Sequence, residues 1–426
     1  MNKPFCIFLV AFFLFQTAFS QDIKYARSII DTLTSPAMHG RGYVNDGVNI
    51  AADFIKKEFQ KDKLLSFDTS YFQPFSFPIN TIVGKTVVTI DKKTLTPGVD
   101  YLINSFSKGI KGTYKVVWFT KKIIENADEL DKFKKHNYSK TIIIVDKTGI
   151  DDKKTKELFD ALQFVNVFNA KAVVIFTNDK LVWSVSMAEK VDDFGSIDIA
   201  GKCLSEKTKK ITLDYKNEFT DSFKTKNIIG YVKGKTKPDS FIVFSAHYDH
   251  LGQMGNDAYF PGANDNASGT SMVLDLARYY SLPENQPDYS MAFMSFTGEE
   301  VGLLGSTYYT EHPLFPLSKI KIELNIDMVG TGDDGITVVN SAVYENEYNM
   351  LVKINDEKKY LAKIGKRGEA ANSDHYPFYK KGVKSLFVYT LGGTSEYHNI
   401  YDISKTLPLT KYENLFRLLT EFVKKI

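Results

Sequence analysis

Phe241-Ile242-Val243-Phe244-Ser245-Ala246-His247-Tyr248-Asp249 is an apolar run that ends on an imidazole and a carboxylate. A run of that length and composition reads as a buried strand. The same texture returns over 290–296, 321–326 and 385–389, while helical spacing lies near 268–280, 303–310, 348–362 and 411–424. From Asn227 onward the order is therefore strand, Gly-rich loop, helix, repeated. That alternation predicts an α/β fold with a mainly parallel mixed sheet covered by helices on both faces.

Upstream the texture differs. Over 25–61 the apolar residues Ile29, Ile30, Leu33, then Ile50, Ala51, Phe54, Ile55 and Phe59 follow helical spacing, split by the turn His39-Gly40-Arg41-Gly42. Between about 76 and 216 short β-branched runs such as Thr141-Ile142-Ile143-Ile144-Val145 and Ala172-Val173-Val174-Ile175-Phe176 alternate with charged segments. The expected organisation is a helical start over 21–75, a β-rich inserted domain over 76–216, and the main α/β domain over 217–426. At 426 residues the chain is long enough for such a division.

Residues 1–20 read as a secretory signal: Lys3, an apolar run from Phe5 to Phe15, then Ala18-Phe19-Ser20. Export to the periplasm or the extracellular space is expected. The run is short for a spanning helix and no later stretch is long enough, so no transmembrane span is expected in the mature chain. Cys203 is then the one cysteine left after cleavage, which rules out an internal disulfide. A net charge of +3, with Lys and Arg matched by Asp and Glu, argues against nucleic acid as a partner.

At the ends of the apolar strands, or in the loops that follow, stand His247 and Asp249, then Asp265, Glu299 and Glu300, Asp327, and His398. Open α/β sheets bind ligands at that edge. Carboxylates gathered there without a counter-charge repel one another and are costly to desolvate. Divalent cations remove that cost, and a thiolate-free set of His and acids suits zinc, with cobalt or manganese as substitutes. Five ligands suffice for two ions if one carboxylate bridges, leaving open positions for a shared hydroxide. Of the adjacent Glu299 and Glu300, one can ligate while the other faces that hydroxide as proton shuttle.

The residues resemble the di-zinc aminopeptidases of metallopeptidase family 28, whose relatives include glutaminyl cyclases, glutamate carboxypeptidases and the transferrin receptor. The matching segments are Ala246-His247-Tyr248-Asp249-His250-Leu251-Gly252, Pro261-Gly262-Ala263-Asn264-Asp265-Asn266-Ala267-Ser268-Gly269, Gly298-Glu299-Glu300-Val301-Gly302-Leu303-Leu304-Gly305-Ser306, Asn325-Ile326-Asp327-Met328-Val329-Gly330, Ser373-Asp374-His375 and Tyr397-His398. The resemblance implies a zinc exopeptidase fold and two Zn2+ ions. Asp265 would bridge them, His247 and Asp327 complete one site, and Glu300 and His398 the other, with Glu299 as general base. It further implies that Asp249 orients His247 and that Asp402 does the same for His398. The expected substrates are peptides with a free N-terminus, and the alternative reaction is glutaminyl cyclisation. The stretch Ala170-Lys171-Ala172-Val173-Val174-Ile175-Phe176 resembles a protease-associated insert. One departure stands out: some members place a Tyr shortly before Ser-Asp-His, where this chain has Gly368-Glu369-Ala370-Ala371-Asn372.

Other motifs are weaker. Gly230-Tyr231-Val232-Lys233-Gly234-Lys235-Thr236 is one residue short of a phosphate loop and precedes a strand. The chain has no His-Glu-x-x-His and no Gly-x-Ser-x-Gly. His250 and His375 are expected to support the site from loops rather than ligate.

Overall fold

The structure is a computed structural model that describes residues 22–188 and 190–426; the stretch read as an export signal, 1–20, lies outside these. Four parallel strands form the heart of a fourteen-stranded sheet: Ser385–Leu391, Ile320–Ile326, Lys237–His247 and Tyr289–Phe296, side by side in that order. This is the α/β architecture that the alternation of strand and helix predicts. The sheet continues beyond Ser385–Leu391 through Gly335–Val339 and Ile364–Lys366. On the other side it runs through Lys210–Val232, Ile110–Phe119, Thr141–Asp146, Ala172–Thr177, Gly195–Ala200 and Tyr101–Ile103.

Period-two alternation sends the strand residues to two separate cores. Ile242, Phe244 and Ala246 pack with Met291 and Phe293 on one face, under the helices Ile23–Leu33, Gly47–Lys61, Gly269–Ser281 and Tyr412–Val423. Phe241 and Val243 pack with Ala292, Met294 and Phe296 on the other, against Tyr309 and Phe378 of helices Leu304–Glu311 and His375–Lys380. Helices thus cover both faces. The first helix shows why its sequence folds as it does: Tyr25, Ala26, Ile29, Ile30 and Leu33 form one buried stripe, and the Asp22 carboxylate accepts from the Lys24 and Tyr25 N–H groups at its start.

Two long strands, Phe72–Ile90 and Lys210–Val232, pair antiparallel from Phe72↔Ile228 to Ile90↔Ile211 and carry the sheet into the stretch read as an insert. That stretch also contains the helices Lys121–Glu125, Ala127–Lys135 and Lys153–Ala161, whose Phe133 and Phe159 pack against Ile143 and Val145. Its opposite face shares a core with Leu251, Met254, Ala258 and Phe260, so the two halves are joined by apolar contact as well as by strands. No helix among the described residues is long and apolar enough to cross a membrane.

Candidate metal centre

Parallel strands deliver their side chains to one edge. His247 ends Lys237–His247, Asp327 follows Ile320–Ile326, Glu299 and Glu300 follow Tyr289–Phe296, and His398 follows Ser385–Leu391. Asp265 comes from the turn Ala263–Ser268 that leads into helix Gly269–Ser281.

That turn is stitched to the loop after Asp327. Asn264 Oδ1 accepts from Gly330 N at 2.9 Å, Ser268 Oγ from Val329 N at 2.9 Å, and Asn266 Oδ1 from Met328 N at 3.2 Å. The small polar residues of the Asn264–Ser268 motif are therefore ties to its neighbour. Gly262 enters the turn at φ 60°, and a Cβ there would meet Asp265 O at 2.2 Å, so both conformation and space require glycine.

The six residues singled out in the sequence converge. His247 Nε2 lies 3.4 Å from Asp265 Oδ1 and 3.4 Å from Asp327 Oδ1. His398 Nε2 lies 3.0 Å from Asp265 Oδ2 and 3.2 Å from Glu300 Oε2. Asp265 thus turns one carboxylate oxygen to each imidazole. Glu299 stands farther out, its Oε2 3.9 Å from His247 Nε2. Ligating atoms of His247, Glu299 and Asp327 lie within 4.8 Å of one another, as do those of His247, Asp265 and Glu300. Proximity alone would therefore admit Glu299 to the first cluster, but Asp265 Oδ1 lies closer to His247 Nε2 than Glu299 Oε2 does, at 3.4 Å against 3.9 Å.

Charge shows how tense this arrangement is. Burial alone would depress His398, but Glu300 and Asp265 outweigh it and raise the imidazole to about 11. His247 rises likewise against burial, through Glu299, Asp327 and Asp265. Burial pushes the Glu299 carboxyl well above its usual range; His247 opposes this, while Glu300, Asp327 and Asp374 add to it. Glu300 falls to about 2 despite burial and Asp265, because His398 and His250 favour its anion. Asp327 Oδ1 is buried with no hydrogen-bond donor among the described residues. Two imidazoles set among buried acids, with an orphaned carboxylate oxygen facing His247, fit divalent cations in the place of shared protons.

The supporting contacts differ from those the resemblance implies. His247 Nδ1 lies 3.1 Å from the Asp249 backbone oxygen, whereas the Asp249 carboxylate is 3.8 Å away. That carboxylate accepts instead from Tyr43 Oη at 2.7 Å and from the Glu299 and Glu300 N–H groups, each at 3.4 Å. Asp249 therefore orients His247 through its main chain and shapes the Glu299-Glu300 turn with its side chain.

Asp402 does not reach His398 to orient it. Its carboxylate accepts from Asn264 N and Asp265 N at 2.9–3.0 Å, which places Asp265. His398 Nδ1 instead lies 3.1 Å from Trp183 O, and Trp183 N donates to His398 O at 2.9 Å. This pair holds His398 at φ 50°, a left-handed conformation uncommon outside glycine. Trp183 comes from the stretch read as an insert and is stacked on Phe260 at 4.7 Å. His250 Nδ1, 2.7 Å from Glu300 Oε1, must be the donor there, since a carboxylate only accepts. His375 is buried beside Phe387.

Arg41 belongs to the site and was hidden in what reads as a turn. Fully buried, its guanidinium donates to Tyr248 O at 2.8 Å, Leu33 O at 2.9 Å, Pro261 O at 2.6 Å and Gly262 O at 2.8 Å. It locks the first helix onto the loop that carries Asp265. An Arg between two glycines at a predicted turn was the only sequence signal.

Residues 227–423 match the model of Peptidase family M28. Aminopeptidase YwaD of Bacillus subtilis is 32% identical over 232 residues, covering 51% of this chain and 47% of that protein. The chain thus spans about half the length of that relative. Among solved structures, BSAP, a zinc aminopeptidase from Bacillus subtilis, aligns with a TM-score of 0.68 at 23% identity, over 94% of each chain. A Peptidase M28 precursor from Shewanella amazonensis aligns with a TM-score of 0.70 at 17% identity, over 94% of this chain and 92% of that one. At such identities the two structures show the shared fold. The matches give no support to the glutaminyl cyclase alternative.

Proposed function

From the match of residues 227–423 to the model of Peptidase family M28, we propose that the chain is a zinc-dependent aminopeptidase with a two-metal centre. The observation that carries the reading is the division of Asp265, with Oδ1 toward His247 and Oδ2 toward His398. His247, Asp327 and Asp265 Oδ1 would hold one ion. His398, Glu300 and Asp265 Oδ2 would hold the other. When bound, such a pair supplies Lewis-acid polarisation of the scissile carbonyl and activates water near neutral pH.

The chain's own residues do the rest. Glu299, displaced from the closest contacts and raised by burial, accepts a proton from the attacking water and returns it to the nitrogen of the departing peptide. Water adds to the carbonyl carbon, the C–N bond breaks, and the proton balance closes on Glu299. Trp183 and Met187 reach the rim from the inserted stretch, their N–H groups donating to His398 O at 2.9 Å and Val301 O at 3.4 Å. This strap suits a chain end better than a continuous polypeptide, and it supports an N-terminal residue as the group removed.

The test uses one peptide, its N-acetylated form and its C-terminally amidated form, followed by mass spectrometry. Loss of one N-terminal residue from the free and amidated peptides is expected, with almost none from the acetylated one. Release of C-terminal residues from the acetylated peptide would reverse the direction of attack. Ammonia loss from a Gln-first peptide would place the chain with the cyclases.

A further inference from the structure

Behind Asp327 runs a file of buried side chains that the proposed hydrolysis does not use. Asp327 Oδ2 accepts from Ser373 Oγ at 3.0 Å, and Ser373 Oγ accepts from Asn325 Nδ2 at 2.7 Å. Asn325 Oδ1 lies 3.1 Å from Ser245 Oγ, which in turn lies 2.6 Å from Glu323 Oε1. Ser245, Glu323, Asn325 and Ser373 are all wholly buried. Strand alternation explains the file: Glu323 and Asn325 are two apart and share a face, and Asn325 pairs with Ser245 on the neighbouring strand.

Counting protons along the file fixes its direction. An ionised Asp327 can only accept, so the single Ser373 hydroxyl proton goes to it. Ser373 Oγ can then only accept from Asn325, which must present Nδ2 to it and Oδ1 to Ser245. Ser245 has one proton for two contacts, Asn325 Oδ1 at 3.1 Å and Glu323 Oε1 at 2.6 Å, and only when it goes to Asn325 is the file complete. The 2.6 Å contact between Ser245 and Glu323 then has no proton left unless Glu323 brings one.

We propose that Glu323 is a positioning residue held as the neutral acid, donating to Ser245 so that every donor in the file points toward Asp327. The inference rests on the reading of Asp327 as an ionised metal ligand. Burial supports it, pushing the Glu323 carboxyl up to about 8 while the Ser245 and Ser385 hydroxyls pull it back. Asp374 is the ionisable group that acts on it, and it adds to the rise. Beyond the nearby Ser385 hydroxyl, Glu323 Oε2 has no donor among the described residues, as suits the carbonyl oxygen of an acid better than half of a carboxylate. Once Glu323 ionises, Ser245 turns to it, Asn325 Oδ1 loses its donor, and the support of Asp327 weakens.

Glu323→Gln keeps an N–H donor toward Ser245 at every pH and should remove that alkaline weakness. Zinc-loaded wild type and E323Q are competed against a chromophoric chelator from about pH 6.5 to about 9.5, with infrared spectra of the same samples. Zinc retention in the wild type should fall about threefold to tenfold relative to E323Q across that range. The wild type should also show a buried carboxylic-acid band at neutral pH that fades with alkali and is missing from E323Q. If E323Q does not fold, the band and its titration in the wild type decide alone. Parallel zinc-retention curves, or no acid band at neutral pH, would overturn the role of Glu323. A wild type that holds no zinc at any pH would instead overturn the metal reading itself, which the infrared band does not depend on.

Discussion

Glu299→Gln is expected to lower kcat/KM by at least about a hundredfold while leaving metal content and fold unchanged, because it removes a proton acceptor and little else. The Glu299 backbone is held independently of its side chain, its N–H donating to Asp249 Oδ1 at 3.4 Å. Its carboxylate also lies outside the closest imidazole contacts, 3.9 Å from His247 Nε2. The neighbouring Glu300→Gln should behave differently. Glu300 Oε1 accepts from His250 Nδ1 at 2.7 Å, and Oε2 lies 3.2 Å from His398 Nε2. An amide cannot accept at both positions, so this variant should release about one metal equivalent. Elemental analysis alongside steady-state rates separates the two. Metal loss in Glu299→Gln with full occupancy in Glu300→Gln would exchange the roles assigned within the pair.

Arg41→Ala is expected to cost about 3–5 kcal/mol of unfolding free energy, far more than a typical turn residue. Truncation leaves the carbonyls of Leu33, Tyr248 and Pro261 without their donor in a dry interior, and Gly262 O with only the Ala267 N–H. Each such loss costs roughly 1–3 kcal/mol before water or local relaxation offsets part of it. Arg41→Lys should recover little, since one ammonium cannot reproduce a planar fork that reaches four carbonyls. Because two of those carbonyls precede Asp265, metal affinity should fall together with stability. Urea unfolding of the wild type and both variants measures the effect. A loss under about 1 kcal/mol for Arg41→Ala would show that the guanidinium is not what ties the first helix to the metal loop.

The centre of the sheet was legible because its strands are buried on both faces and so read as continuous apolar runs. His247 and Asp327 stand at or just beyond the ends of two such runs, and the others follow in short loops. The outer strands were harder. Ile364–Lys366 spans three residues and carries no pattern. Lys210–Val232 mixes buried Ile211, Leu213 and Tyr215 with exposed Lys216, Asp221 and Ser222, because part of it forms a ribbon open to solvent. Its continuity with the central sheet is therefore invisible to periodicity.

Support for the ligands was misread wherever it crosses the chain at long range. Trp183 is 215 residues from His398, and its part is played by main-chain atoms that any residue carries. Asp402 was expected at His398 from the resemblance, yet the fold turns it toward Asp265. The file from Glu323 to Asp327 was equally hidden, since Ser245 and Ser373 lie on other elements. Local sequence can nominate ligands; what orients them depends on tertiary contact.

The most direct test of the two-metal reading is the zinc content of the protein purified without chelator and then supplied with excess zinc. Two tightly held equivalents per chain are expected on the reading that Asp265, split between His247 and His398, bridges two ions. Retention of one equivalent or fewer under those conditions would contradict the account.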